Sequence, residues 1–160
     1  MRPLLIALSL LFALAFARAE VIRLAPDFAF PGVGKAQSLK SVRGQPVVLI
    51  VAQSPKTKDF KVQVKNLKDI YQQFASKQVL FVAAFTGEVG PVKSDIPFVI
   101  ANNGAAVASA YSMPDKDKFN IIIIGKDGNV DYQTSKVIGA ERVRDVIQNS
   151  YAVQSTTGRQ

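Results

Sequence analysis

The apolar residues of this chain come in blocks of different period. Six follow without a break from Val47 to Ala52, VVLIVA, which is how a β-strand covered on both faces reads. Val79 to Phe85, VLFVAAF, repeats that pattern. Between the two, from Asp59 to Ser76, the period changes. Phe60, Val64, Leu67, Tyr71 and Phe74 recur at steps of four, three, four and three, the single stripe of a helix lying on a sheet. Lys58, Lys61, Lys65 and Lys68 follow a second helical face. Strand, helix and strand in this order predict a right-handed βαβ unit with parallel strands.

The flanking segments are shorter. Phe28 and Phe30 alternate as in a short strand, Pro31-Gly32 and Gly34 mark a turn, and Ala36 to Ser38 is expected to pair back. Leu39 to Val42 reads as one helical turn closed by Arg43-Gly44. Thr86 to Asp95, with two glycines and a proline, reads as a loop or a stub of helix. A short strand over Ile96 to Ala101 and a short helix over Ala105 to Met113 follow, with Val107, Ala110 and Tyr111 facing inward. Asn120 to Ile124 and Val130 to Thr134 flank Asp127-Gly128, a pair that tolerates positive φ, and so predict a hairpin. Gly139 to Tyr151 closes the chain as an amphipathic helix with Val143, Val146, Ile147 and Tyr151 on its buried side. Phe28, Phe60, Phe74, Phe81 and Phe85 are assigned to the core.

Length changes this picture only at the ends. Of the 160 residues, Met1-Arg2, the apolar run Leu4 to Phe16 and Ala17-Arg18-Ala19 have the three parts of a secretory signal, with cleavage expected between Ala19 and Glu20. The alternative, an uncleaved anchor, is disfavoured because a span needs about 20 apolar residues. The expected organisation is therefore a signal peptide over 1–19, one domain over 20–151, and a polar flexible tail over 152–160. No transmembrane segment is expected after cleavage, and the product is expected in the periplasm or secreted.

The chain contains no cysteine and no histidine. Disulfides, thiolate and imidazole metal sites, and Ser-His or Cys-His nucleophile pairs are thereby excluded. No spaced acidic cluster suggests a Ca²⁺ or Mg²⁺ site, and no cofactor or metal is expected. The net charge of +8 suits an acidic partner, or serves solubility alone. Nucleic acid is not expected, because basic and aromatic residues do not alternate along a strand.

Three phrases, in order, resemble one known family. They are APDFAFPGVGKAQSLKSVRGQPVVLIVA from Ala25, LKDIYQQFASKQVLFVAAF from Leu67, and IIIIGKDGNVDYQTSKVIGAERVRDVIQ from Ile121. They resemble the thioredoxin-like superfamily, in its branch of peroxiredoxins and exported thiol-disulfide oxidoreductases, over Ala25 to about Asn149. The resemblance implies an α/β fold: a thioredoxin-like three-layer α/β/α arrangement with a mixed central sheet and an N-terminal β-hairpin extension. In that family the turn after the first central strand carries the reactive thiols. Here Pro55 and Lys58 stand at those places, with Thr57 nearby. The family's cis-proline place, counted back from the hairpin, falls on Phe119, and Pro114 lies five residues too early.

A thiolate attacks a disulfide or peroxide; a hydroxyl without a base, or a protonated lysine, does not. The expectation is therefore a non-enzymatic thioredoxin-like domain that binds an envelope protein or an acidic polymer. Its contact edge is assigned to Ser54, Pro55, Lys56, Thr57, Lys58 and Phe119, beside the exposed N–H groups of a helix N-terminus. Lys56 and Lys58 oppose the helix dipole, which implies something offsetting them. The lysine series reads alternatively as a solvated face, and Phe119 as core. Two other functions stay open: a redox-family enzyme with altered chemistry, and a structural accessory subunit of a complex.

Overall fold

The computed structural model describes residues 23–75, 78–115 and 117–157. The predicted signal peptide lies outside them. In chain order the elements are β1 (Ala29–Pro31), β2 (Ala36–Ser38), a 3-10 turn over Leu39–Val42, β3 (Val47–Ala52), α1 (Lys58–Ala75) and β4 (Leu80–Phe85). Then come β5 (Phe98–Ile100), α2 (Gly104–Ala110), β6 (Phe119–Ile124), β7 (Val130–Thr134) and α3 (Ala140–Thr157). The segment Thr86 to Asp95 forms no helix. α3 runs past the expected end at Tyr151, since no glycine or proline interrupts the sequence before Gly158.

Five strands form one mixed sheet in the order β5-β4-β3-β6-β7. β3 pairs in parallel with β4 and antiparallel with β6. It is therefore the middle strand, and all six of its residues are buried. Its alternate side chains feed two cores. Val48, Ile50 and Ala52 join Phe81, Ile121, Ile123 and the apolar faces of α1 and α3. Val47, Leu49 and Val51 join Val82, Ile122, Phe28, Phe30 and Tyr111 on the side of α2. The result is the expected three layers. β1 and β2 form a separate antiparallel hairpin, with Phe30 buried in the second core. Fully burying a large apolar side chain is worth about 1.5–3 kcal/mol, so both faces of the sheet stabilise the fold substantially.

α1 buries Phe60, Val64, Leu67, Ile70 and Phe74, and also Gln63, which is fully buried. The Gln63 amide grips one peptide unit from across the core. Its Nε2 donates to the Ile138 carbonyl at 3.1 Å, and its Oε1 accepts from the Ile138 N–H at 2.9 Å. Asn66 Nδ2 donates to the same carbonyl at 3.0 Å. These bonds fix α1 against the entry to α3. In the second core Tyr111 is fully buried and donates its hydroxyl to the Pro26 carbonyl at 2.9 Å. The β6–β7 turn follows its sequence: Gly128 has φ +84°, and Asp127 Oδ1 accepts from the Asn129 N–H. The Leu24–Asn129 bridge adds residues 23–25 beside this turn, with the Val130 N–H donating to the Arg23 carbonyl at 2.8 Å. Among the described residues, no helix is long and apolar enough to cross a membrane.

Candidate functional site

β3 ends at Ala52, and its ladder with β4 continues through Thr86 N–H to the Ala52 carbonyl and Gly87 N–H to the Gln53 carbonyl, both 2.9 Å. The chain then turns through Ser54–Thr57 into α1. Ser54 organises the turn. Its carbonyl accepts from the Thr57 hydroxyl at 3.0 Å and the Thr57 N–H at 3.3 Å, and its own Oγ accepts from the Lys56 N–H at 3.2 Å. Thr57 closes the helix entry through its carbonyl, which accepts from the Lys61 N–H at 3.1 Å. Both hydroxyls thus bond to the turn's own backbone. Neither meets a side-chain base among the described residues, so neither is activated for attack.

Lys56 and Lys58 are exposed at this turn, and Pro55 and Thr57 are half-buried. The positive charge of Lys56 near the helix N-terminus is offset by Glu88, whose carboxylate lies 2.7 Å from Nζ. Glu88 belongs to the Thr86–Pro97 loop, which also comes up against the Pro55 ring at Gly90. Further along, Lys68 Nζ meets Asp95 of the same loop at 2.7 Å. Their hydrogen bond and charge hold the Asp95 carboxyl below, and the Lys68 ammonium above, their ordinary ranges. Both pairs are exposed, so they orient the loop more than they stabilise it.

Between these two ties, α1 and the loop bound a groove of about 870 Å³. Phe60 and Val64 line it from the helix, and Val89 and Val92 from the loop. Phe60 is held edge-on to Phe85 at 5.2 Å. Lys61 and Lys65 also line the groove, are exposed, and have no acidic partner among the described residues. Lys93 adds a third such cation from the loop. The lysine face read from the sequence is thus split. Lys61, Lys65 and Lys68 line the groove, whereas Lys58 does not. Glu88, Asp95 and the apolar wall of the loop escaped sequence reasoning, because a segment without period does not reveal which element it crosses.

Phe119 requires a correction. It opens β6 opposite Ala52, is 3% exposed, and sits in the core shared with α1. It offers no contact surface, so the edge predicted from the sequence reduces to Ser54–Lys58. The alternation Phe119, Ile121, Ile123 was the available signal, since all three face the same core. Every peptide bond among the described residues is trans. The neighbouring Asn120 is buried, and its Oδ1 lacks a hydrogen-bond partner. An orphaned buried acceptor costs about 1–3 kcal/mol. No group of three or more acidic residues placed to hold a metal ion occurs among the described residues.

Against known proteins, a family model described as "Domain of unknown function (DUF4174)" matches residues 38–151. No curated protein matches the sequence. Solved structures match over most of the chain. A protein assigned as the thiol:disulfide interchange protein DsbE of Chlorobium tepidum is 16% identical, with a TM-score of 0.62 over 81% of this chain and 96% of that one. Peroxidoxin BcpB of Mycobacterium tuberculosis is 18% identical, with a TM-score of 0.58 over 82% and 96%. The exposed lipoprotein thioredoxin of Streptococcus pneumoniae is 16% identical, with a TM-score of 0.58 over 78% and 99%. The fold is thioredoxin-like, with the N-terminal hairpin extension, and the chain carries no cysteine.

Proposed function

The chain belongs to the DUF4174 family, and from that premise we propose that it is an exported binding module that uses a thioredoxin-like fold without thiol chemistry. The observation that carries this reading is the Ser54–Thr57 turn. At the place where the fold presents a reactive sulfur, two hydroxyls are closed onto backbone groups and the flanking Lys56 is paired with Glu88. Such a turn has no nucleophile for a disulfide or peroxide. It has the means to hold a partner: exposed Lys56 and Lys58, and an amphipathic groove starting at Pro55. The partner is an envelope protein or an acidic polymer. The apolar run at residues 4–16 and the likeness to an exposed lipoprotein thioredoxin support export.

Two measurements test the reading. The purified chain should turn over neither peroxide, insulin disulfide nor glutathione disulfide above a buffer blank; turnover would replace it with a redox enzyme of altered chemistry. Affinity capture from the native cell envelope should retain a partner that Lys56→Glu/Lys58→Glu retains less well at unchanged Tm. Equal capture by the variant would remove the turn from the contact surface.

A further inference from the structure

The binding-module reading leaves open what the groove beside the turn holds. We infer that the groove between α1 and the Thr86–Pro97 loop takes an extended acidic peptide segment, four to five residues long, in which carboxylate and apolar side chains alternate. This rests on the binding-module reading and adds the chemistry of the occupant.

Charge comes first. Lys56 and Lys68 are paired with Glu88 and Asp95 at the two ends, so the charge left unanswered is in the middle, on Lys61, Lys65 and Lys93. Spacing comes second. Lys61 and Lys65 are one helical turn apart, about 6 Å along the axis at about 1.5 Å per residue. Alternate side chains of an extended chain lie on one side about 6.6 Å apart. Carboxylates at positions i and i+2 therefore meet the two ammonium groups in register, and the residue between them turns toward the opposite wall. That wall is apolar: Val89 and Val92 line it, and Val89 is 65% exposed. The run of α1 from Phe60 to Lys68 is about 12 Å long, room for about four extended residues.

The loop wall also has main-chain valence to spare. The N–H groups of Val89, Gly90, Val92 and Lys93 make no hydrogen bond among the described residues, so a strand-like ligand has donors to meet. A fatty acid fills the apolar part but brings one carboxylate for two lysines a turn apart. An inorganic polyphosphate answers the lysines and leaves the valines uncovered.

The test is fluorescence anisotropy with a labelled Glu-Val-Glu-Val-Glu peptide on the full chain purified without its signal. Saturable binding is expected, weakening as NaCl rises from about 0.05 to 0.5 M because the charges are exposed. Lys61→Glu/Lys65→Glu should weaken it about tenfold, two attractive contacts becoming repulsive, with an unchanged circular-dichroism melt. Val89→Ser, at an exposed loop position, should weaken the Glu-Val peptide several-fold and leave a Glu-Ser-Glu-Ser-Glu peptide unchanged. Absence of saturable binding, indifference to the lysine reversals, or displacement of the peptide by palmitate at equimolar concentration would overturn the inference. An envelope partner still captured equally by Lys61→Glu/Lys65→Glu would sink the groove assignment and leave the binding-module reading standing.

Discussion

Replacing Gln63 with methionine tests how α1, and with it one wall of the groove, is held in place. Methionine has nearly the same volume and enough torsional freedom to fill the same space, so no cavity term is added. Two hydrogen bonds to Ile138 disappear, those at 3.1 and 2.9 Å. Each contributes about 0.5–1.5 kcal/mol net. The Ile138 carbonyl keeps its bond from Asn66 at 3.0 Å, so the group left unpaired is the N–H. Ile138 is only half-buried, which lets water relieve part of that penalty. The expected loss is about 2–3 kcal/mol, a fall in Tm of roughly 6–12 °C for a domain of this size. Urea titration followed by far-UV circular dichroism measures it, with an unchanged m-value confirming the same transition. Asn66→Ala alone should cost about 1 kcal/mol, because Gln63 still serves the carbonyl. The double variant should lose more than the sum, by about 0.5–1 kcal/mol, because only then is the carbonyl also orphaned. A Gln63→Met protein within 0.5 kcal/mol of the parent, or strict additivity of the pair, would refute the shared-peptide clamp.

Three other perturbations have defined outcomes. Burial raises the Tyr111 hydroxyl pKa well above the ordinary phenol range, Arg23 pulling it down and Asp27 pushing it up by smaller amounts. The folded state therefore keeps a proton that the unfolded chain releases, and this stabilisation is present below about pH 10 and lost as pH rises beyond it. Tyr111→Phe should lose about 1 kcal/mol at neutral pH for its bond to Pro26, and its denaturant midpoint should fall less steeply than the parent's above pH 10. Asn120→Val, on a β6 strand whose next four residues are isoleucines, should raise stability by about 1 kcal/mol by removing the unpartnered Oδ1; a lower melting temperature would mean the amide is bonded in solution. Gly104→Ala should destabilise by at least about 3 kcal/mol, since an added Cβ would overlap the Phe85 backbone; a soluble variant with parental Tm would contradict this placement of α2.

What could be read from the sequence follows from period. The unbroken run in β3, the stepped apolar stripe of α1 and the Asp127-Gly128 turn each announce their element, because burial on two faces, one face or none imposes a different spacing. Gln63 lay within that stripe, three residues after Phe60, yet its role depends on a peptide 75 positions away. The opposition of Lys56 to the helix dipole was legible as a problem. Its answer, Glu88, was not, because tertiary structure alone brings the irregular loop across α1. Counting back along a family pattern put Phe119 at a contact edge, whereas the alternation of β6 places it inside. Local periodicity was the stronger guide there, since it states a burial requirement that a positional analogy does not.

The Leu24–Asn129 bridge has a consequence for one open border of the sheet. β7 is the outermost strand on its side of the sheet, where unsatisfied amides invite a second molecule to zip alongside. Residues 23–25 take up the hairpin end of that exposed border, satisfying the Val130 amide and blocking the approach. Proteolytic trimming through the exposed Leu24 would remove this guard while leaving the buried Ala25 and the layered interior in place, producing a folded but self-adhesive molecule.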